Sequence, residues 1–351
     1  MAASGAPRQG RCLAGAPDYL PPMPDLVPLD LCLARALGGI APVAPVLLDP
    51  ALACGHVVAA DVVVPRDLPA ASEALRAGVA VAALDLVGAA PASPVMLGAA
   101  VRVRPAEALP PGMDAVLPED GIDGPADLPE AIRPASPGEG VRRAGHDARR
   151  GDPILRAGAR LGPRHAFIAT LAGIEAVAVR RPRVRVALPD PAQSNLVEAA
   201  MARLGGLIVA GGAADLVLRP AAGDAARLAL APAETTWLCR EGGALVLELP
   251  RRFDAMVAAL WALGLPAMAA LAGARPLTET RPLARKIASA VGMAEVVLLA
   301  EDGPAWAPQP AGVVTLVGLA AARAIAIIPP QSEGLPAGAP LAAHPLDLPF
   351  G

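Results

Sequence analysis

Residues 137–163 read P-G-E-G-V-R-R-A-G-H-D-A-R-R-G-D-P-I-L-R-A-G-A-R-L-G-P, and they decide how the rest of the chain is read. Gly and Pro recur every few residues, which marks tight turns rather than one long element. Between the turns, Asp152–Arg156 alternates as a half-buried strand does. Pro163 then stands at a helix start and Gly173 at its end, so a helix is predicted over Arg164–Ala172. Ile174–Val179 follows as a strand, and Arg180-Arg181-Pro182 opens the next unit.

Upstream, Leu29–Gly39 has helical spacing with Gly38-Gly39 as a stop, and Asp49–Cys54 is a second helical piece. His56–Val64 reads as a strand. From there to about Arg142, short β-branched runs such as Ala99–Arg104 and Asp114–Leu117 alternate with Pro/Gly turns. A β-rich module is therefore expected between flanking helical pieces. Downstream, Arg183–Leu188 is a strand and Pro189–Gln193 a loop. Ser194 or Asn195 is expected to cap a helix over Leu196–Leu204, stopped by Gly205-Gly206. Leu207–Ala210, Asp215–Arg219 and Leu245–Leu249 are further strands, a βαβ pattern that implies a parallel sheet. Val296–Ala300, Val313–Val317 and Ala324–Ile328 read as strands of a small β-rich C-terminal module.

The chain has 351 residues, more than one ordinary core, and 54% of them are hydrophobic while only 2% are aromatic. Its interior must be packed from Ala, Val, Leu and Ile. With 41 Pro and 35 Gly, many short elements are favoured over a helical bundle. A net charge of −3 without a basic block argues against nucleic acid as a partner. Cys12, Cys32, Cys54 and Cys239 lack metal-like spacing, so reduced thiols in a cytoplasmic protein are expected. The N-terminal stretch has no apolar core of signal-peptide length, and its Pro/Gly/Ala-rich composition suggests poor order. Ala255–Ala274 carries no charge and is long enough to span a bilayer. Gly264-Leu265-Pro266 at its middle instead predicts a buried helix broken at that point, and no membrane.

Several stretches together resemble the molybdopterin molybdenumtransferase family (MoeA, the gephyrin E domain), from about Pro28 to about Pro345. The family's R-R-x-G-E-D appears as Arg142-Arg143-Ala144-Gly145-His146-Asp147. Its R-D-L-P-P-F-D-N-S-A-M-D-G-Y-A-V aligns without a gap on residues 66–81, where its last aspartate falls on Ala77 and its tyrosine on Val79. The structural half of M-T-G-A-P-L-P-P-G-A-D-A-V-V survives as Leu109–Val116, and an acidic pair follows as Glu119-Asp120. I-P-x-x-S-E-G-L is legible as Ile328–Leu335. The S-T-G-D-E turn and the S-G-G-V-S loop are lost, with Ala222-Gly223-Asp224 a remnant of the second. The lysines of K-P-G-K-P fall on Ala231 and Glu234, and G-L-P-G-N-P-V-S reads Glu248–Ala255.

The resemblance implies an α/β multidomain, MoeA-like fold. Its units would be a flexible N-terminus (1–27), a helical domain (28–54 with 142–181) and a β-rich insert (55–141). A reduced parallel α/β domain of MogA/MoaB type (182–273) and a small C-terminal β-barrel-like domain (274–345) would follow. It implies a homodimer with the ligand cleft between subunits, a pterin-type small molecule (molybdopterin) as ligand, and molybdate or Mg as accompanying ions. Molybdoenzymes or other proteins of cofactor biosynthesis are the protein partners it suggests. Phosphate needs helix N-terminal amides plus Lys or Arg, and close approach needs Gly, so the substitutions at the matched positions weaken that chemistry. A divergent, catalytically impaired member of molybdenum cofactor biosynthesis or delivery is the leading reading. An active molybdenumtransferase, inserting molybdate into adenylylated molybdopterin, is the alternative.

Candidate site residues follow from both readings. Arg251 and Arg252 fall where the family approaches its ligand, and two guanidiniums can replace lost amides as a phosphate clamp. Ser194 and Asn195, at an expected helix start, are the other ligand-binding candidates. Glu119, Asp120 and Asp147 are the metal candidates, although each also reads as a solvated turn residue. His146 beside Asp147 reads either as an acid–base pair or as part of a turn.

Overall fold

A computed structural model describes residues 26–98, 100–125, 127–223, 225 and 227–347. The expectation of a poorly ordered N-terminus falls almost wholly outside them, as do Ala99 of one predicted strand and Asp224 of the loop remnant.

A short strand β1 (Val27–Pro28) enters helix α1 (Leu29–Leu37), and α2 (Pro50–Ala53) follows with Asp49 accepting from the Ala51 amide. The run His56–Val64 is two strands rather than one, Val57–Val58 and Val62–Val63. The insert is built around β2 (Gly78–Val81), which pairs with Val101–Val103 on one side and β3 (Ala115–Leu117) on the other. All four β2 residues are buried, because its two faces serve two cores. Val79 and Val81 pack with Leu86, Leu117 and Ala131, while Ala80 packs with Ala74, Val103 and Val116. That is why G-V-A-V has no polar alternation. The chain returns through Pro153–Leu155 to α3 (Pro163–Leu171), which packs on α2. Val177–Arg180 pairs with Val46–Leu48 and Val57–Val58 to close this unit over Ala53, Val58, Leu161 and Val179.

The parallel sheet comes next. Its strands are β4 (Arg183–Val186), β5 (Leu207–Ile208) and β6 (Leu216–Pro220), with helix α4 (Pro191–Arg203) crossing between β4 and β5. After β7 (Leu228–Ala231) come β8 (Trp237–Glu241) and β9 (Ala244–Leu249), and the sheet order is β5-β4-β6-β9-β8. Only β8 is antiparallel. The strands β7 and β8 carry no separate signal in the sequence, since Leu228–Ala231 is too short to show a period.

Two helix starts differ from the sequence expectation. Helix α4 begins at Pro191, capped by Asp190, whose Oδ1 accepts from the Ala192 and Gln193 amides at 2.8 and 3.4 Å. Ser194 and Asn195 therefore lie inside the helix. Proline at the first helical position and a carboxylate just before it outcompete the later caps. Val313–Val317 is not a strand, because Thr315 caps a C-terminal helix by accepting from the Gly318 amide.

Helix α5 spans Phe253–Ala272 without the predicted break. A π turn over Leu260–Gly264 widens the helix just before Pro266, which takes up the lost proline N–H and its ring. By length and composition it is the one described helix able to cross a membrane, yet 83% of its apolar window is buried within the protein. Its Ala, Leu and Met side chains join Val184, Val197, Met201, Leu216 and Leu247 in the main core.

The C-terminal part has β10 (Glu279–Pro282), β11 (Ala294–Asp302), β12 (Ala305–Pro308), α6 (Leu316–Ala321), β13 (Ala324–Ile328) and β14 (Pro340–Pro345). β11 pairs with β12 and β13, β14 pairs with β13 and β10, and Leu283 bridges back to Trp306 of β12. Buried Trp306 fills the centre of this part, with the Arg281 guanidinium 4.3 Å from its ring centroid. The opposite edge of β11 pairs in parallel with β7, which pairs with β1. The sheet thus crosses from residues 182–273 into residues 274–345.

The same arrangement places α1 away from α2. It packs on β7 and β8, burying Leu29, Cys32 and Ala36 in the main core. Arg240 donates to the carbonyls of Ala36 and Gly38, satisfying acceptors left at the end of α1. The expected packing of both pre-insert helical pieces against 142–181 therefore holds for α2 alone. The apolar face of α1 finds its partners in two strands far along the chain, β7 and β8, which local pattern cannot indicate.

Candidate functional site

Three parallel strands, β4, β6 and β9, end at one edge of the sheet, where open α/β sheets form ligand crevices. Helix α4 starts above β4, and α5 starts directly after β9. The Gln193 side chain donates to the Arg251 carbonyl at 2.8 Å and so ties the two helix starts together. Ser194, Asn195, Arg251 and Arg252 thereby lie at one edge. Asp190 and Gln193 are functional-site neighbours that the sequence reading left in a loop. The dipeptide Asp190-Pro191 was the signal for both, as an N-cap followed by Pro.

The electrostatics of this edge are largely self-satisfied. The Asp190 carboxylate occupies the first amides of α4, the donors a phosphate would otherwise use. Ser194 Oγ donates to the Leu188 carbonyl at 3.1 Å, and Asn195 is exposed on the helix. Arg252 pairs with Asp254 in the first turn of α5, its Nε 3.2 Å from Oδ1. That hydrogen bond, with the charge of Glu234 behind it, holds the Arg252 guanidinium above its ordinary pKa. Glu234 stands where the resemblance places a lysine. The acid there and the arginine at position 252 form a local charge exchange rather than a pair of free cations. Arg251 is exposed and engages the site through its carbonyl, with no ion pair among the described residues.

Beneath this edge lies a network that the sequence did not signal. Glu248 on β9 is buried and accepts from Arg219 at 2.9 Å and from Arg227, while Arg219 also grips Glu241 with contacts of 2.7 and 2.8 Å. Burial alone would push the Glu248 carboxyl up, but the hydrogen bonds from Arg227 and Arg219 outweigh it and keep it below the ordinary carboxylate range. Arg227 lies 5.7 Å from the Trp237 ring centroid. Two cations and two anions balance here, so the network braces β6, β8 and β9 and offers no free charge.

The remaining candidates sit in the insert and its return strand. Glu119 pairs with exposed Arg102, and Asp120 is exposed beside it. Both Asp147 oxygens face Arg142, which also reaches Glu73 at 3.2 Å. His146 is exposed in the same turn, where its amide donates to the Arg143 carbonyl. Among the described residues no group of three or more His, Cys, Asp or Glu is arranged to hold a metal ion. The donor set does not fit a resident Mg2+, because Glu119 and Asp147 face arginines and Asp120 is exposed beside Glu119 with no third carboxylate among the described residues gathered to it. Glu139, in the segment that opens the reading, accepts from the Ser136 amide and from Arg76 and Arg133, which lower it from 4.5 to about 2.

Ala77 lies exposed in the turn before β2. Its neighbour Gly78 is retained for a visible reason. A Cβ there would lie 2.2 Å from the Leu117 carbonyl oxygen. Retained Asp114 accepts from the Ala83 amide at 2.8 Å, and Gly334 passes so close to Ile287 that a Cβ would lie 2.0 Å from its oxygen. Residues that match the family are thus ones the fold uses.

A family model described as MoeA N-terminal region (domain I and II) matches residues 28–173. Molybdopterin molybdenumtransferase 2 of Mycobacterium tuberculosis is 31% identical over 160 residues, covering 40% of this chain and 39% of that protein. Molybdopterin molybdenumtransferase 1 of the same organism is 41% identical over 88 residues, covering 25% of this chain and 21% of that protein. The match thus spans about two fifths of the first relative's length. A crystal structure of the molybdopterin biosynthesis MoeA protein from Pyrococcus horikoshii has a TM-score of 0.72 at 20% identity, covering 92% of this chain and 99% of that one. That likeness carries the α/β multidomain fold.

Proposed function

We propose that this chain, whose residues 28–173 match the MoeA N-terminal region, is a MoeA-family member that serves molybdenum cofactor biosynthesis or delivery, catalytically weakened but retaining pterin binding. The ligand site proposed is the crevice at the carboxyl ends of β4, β6 and β9. The observation that carries the weakening is the occupation of its anion donors, with Asp190 on the α4 amides and Asp254 on Arg252. Arg251 is the side chain left to meet a phosphate, with Arg252, Ser194 and Asn195 in supporting positions. Glu119 and Asp147 would reach a metal only by leaving their arginines, and Asp120 alone is too few donors, so no step is routed through one.

Titration calorimetry with molybdopterin tests this reading. Arg251→Ala should weaken binding by about tenfold, the worth of one charge-assisted hydrogen bond. Asp190→Asn keeps an acceptor for the helix cap but removes a negative charge, so it should tighten binding. Affinities unchanged in both variants would place the ligand elsewhere.

We propose for this protein the division of units that the resemblance implies, except that α1 goes with residues 182–273, together with a cytoplasmic location and a homodimer. Leu47, Leu52, Phe167 and Leu171 support the dimer, since they leave α2, α3 and the neighbouring strand with exposed apolar side chains. Phe167→Glu should shift the mass in light scattering from dimer to monomer. A wild-type chain that is already monomeric at micromolar concentration would remove the dimer.

A further inference from the structure

At the C-terminal end of α4, opposite the strand-end crevice, three basic side chains gather where residues 142–181 meet the parallel-sheet unit. The turn Cys54-Gly55-His56 runs beside Ala159–Leu161, held by the Val57–Arg160 bridge and by the Gly55 amide on the Leu161 carbonyl at 2.8 Å. Arg160 Nε donates to the Gly55 carbonyl at 2.9 Å. Gly205, just after α4, presses on this turn from the other side. A Cβ on it would lie 3.3 Å from the Gly55 oxygen, and its own carbonyl accepts from His56 Nδ1 at 3.1 Å. Arg181 directly follows the strand whose last residue, Arg180, pairs with Val57. Its charge and that of Arg160 both act on the His56 imidazole.

His56, Arg160 and Arg181 are half-buried, and Arg181 Nε is buried without a hydrogen-bond partner among the described residues. No carboxylate among those residues pairs with any of the three, whereas neighbouring Arg203 is answered by Asp347. The end of α4 offers roughly half a negative charge against two guanidiniums that stay charged. Burial and the charge of Arg203 push the Arg160 guanidinium below its ordinary pKa, as for a cation without a counter-charge. We propose that this seam binds a compact oxyanion of the sulfate or phosphate class, held by Arg160, Arg181 and protonated His56. Guanidinium forks match the paired oxygens of such an ion. With Nδ1 on the Gly205 carbonyl, His56 has Nε2 as its second donor once protonated. The ion would fix the turn at Gly55 and the strand at Arg160 against the end of α4.

An NMR titration of the His56 ring tests the site, its resonance being identified among the 4 histidines by His56→Gln. Without the ion, burial holds His56 below its ordinary pKa, the Gly205 carbonyl opposes burial, and Arg181 and Arg160 lower it further. Cys54 is the other titratable group of the turn. In sodium sulfate, compared with sodium chloride of equal ionic strength, His56 should hold its proton about tenfold more tightly, the effect of one opposite charge nearby. Arg160→Gln and Arg181→Gln should each remove most of that gain. Should Arg160→Gln not fold, Arg181→Gln decides alone. Equal titration in the two salts overturns the site. So does a sulfate effect that the variants keep, or one shared equally by His146, His165 and His344. Inorganic phosphate and glycerol phosphate, each in place of sulfate, separate the two sources of such a group. An effect with phosphate alone limits the site to a free ion, and an effect with both extends it to a phosphate monoester.

Discussion

Gly78→Ala should destabilise the insert by about 3 kcal/mol, the upper part of the range for forcing atoms into a packed interior. The added Cβ would lie 2.2 Å from the Leu117 oxygen, 2.9 Å from its carbonyl carbon and 3.0 Å from Val116 Cγ1. Two of those atoms are backbone of β3, the strand that pairs with β2 through Val79–Leu117 and Ala80–Val116. Rotating a side chain cannot relieve them. The strands must separate, and both insert cores depend on their pairing. Gly98→Ala is the control, because nothing lies within 4 Å of its Cβ position, and it should stay within about 0.5 kcal/mol of the parent. Equal urea midpoints for the two variants would show that Gly78 is not kept for close approach. Gly334→Ala should behave like Gly78→Ala, since its Cβ would meet the Ile287 oxygen at 2.0 Å and its φ of +116° disfavours a side chain as well.

The second large effect concerns activity. The purified protein should insert molybdate at least about a thousandfold more slowly than a family member with intact motifs, since metal-assisted charge stabilisation is worth several kcal/mol. Position 77, where the resemblance places an aspartate, holds Ala in an exposed turn of the insert. Position 231, the last residue of β7, and position 234, in the turn after it, hold Ala and Glu in place of two lysines. The start of α5 holds Pro250-Arg251-Arg252, with Arg252 turned to Asp254. These losses lie in separate parts of the molecule, so Ala77→Asp alone should not restore turnover. Robust turnover by the unmodified chain, or rescue by that single change, would reverse the assignment to an active enzyme.

How far the candidate site was legible depends on the range of the interaction involved. Arg251 and Arg252 could be placed at the end of a strand because they follow a clear strand and precede a long apolar helix. Their charges could not be judged the same way. Arg252 is neutralised by a residue two positions on, and by Glu234, which is near only after β7 and β8 fold beside β9. The Glu248 network escaped notice because its members come from positions 219, 227, 241 and 248, with no motif spacing among them. Asp147 looked like a metal candidate until Arg142, five residues away, took both of its oxygens.

The sequence by itself determined the β-rich stretch between helical pieces, the parallel βαβ unit and the aliphatic character of the core. Those properties follow from turn residues, caps and apolar period, which act over a few residues. Only the tertiary structure decided that α1 belongs with the strands near residues 228–241, and that β7 pairs with the C-terminal strands rather than with the parallel sheet. It alone decided that the helix start above β4 is already filled by Asp190. Each of these is a pairing between distant segments, set by which apolar face and which unpaired donor remain once the local elements have formed. Short strands and single charges carry no periodic signal of their partners, so their roles emerge only when the chain has packed.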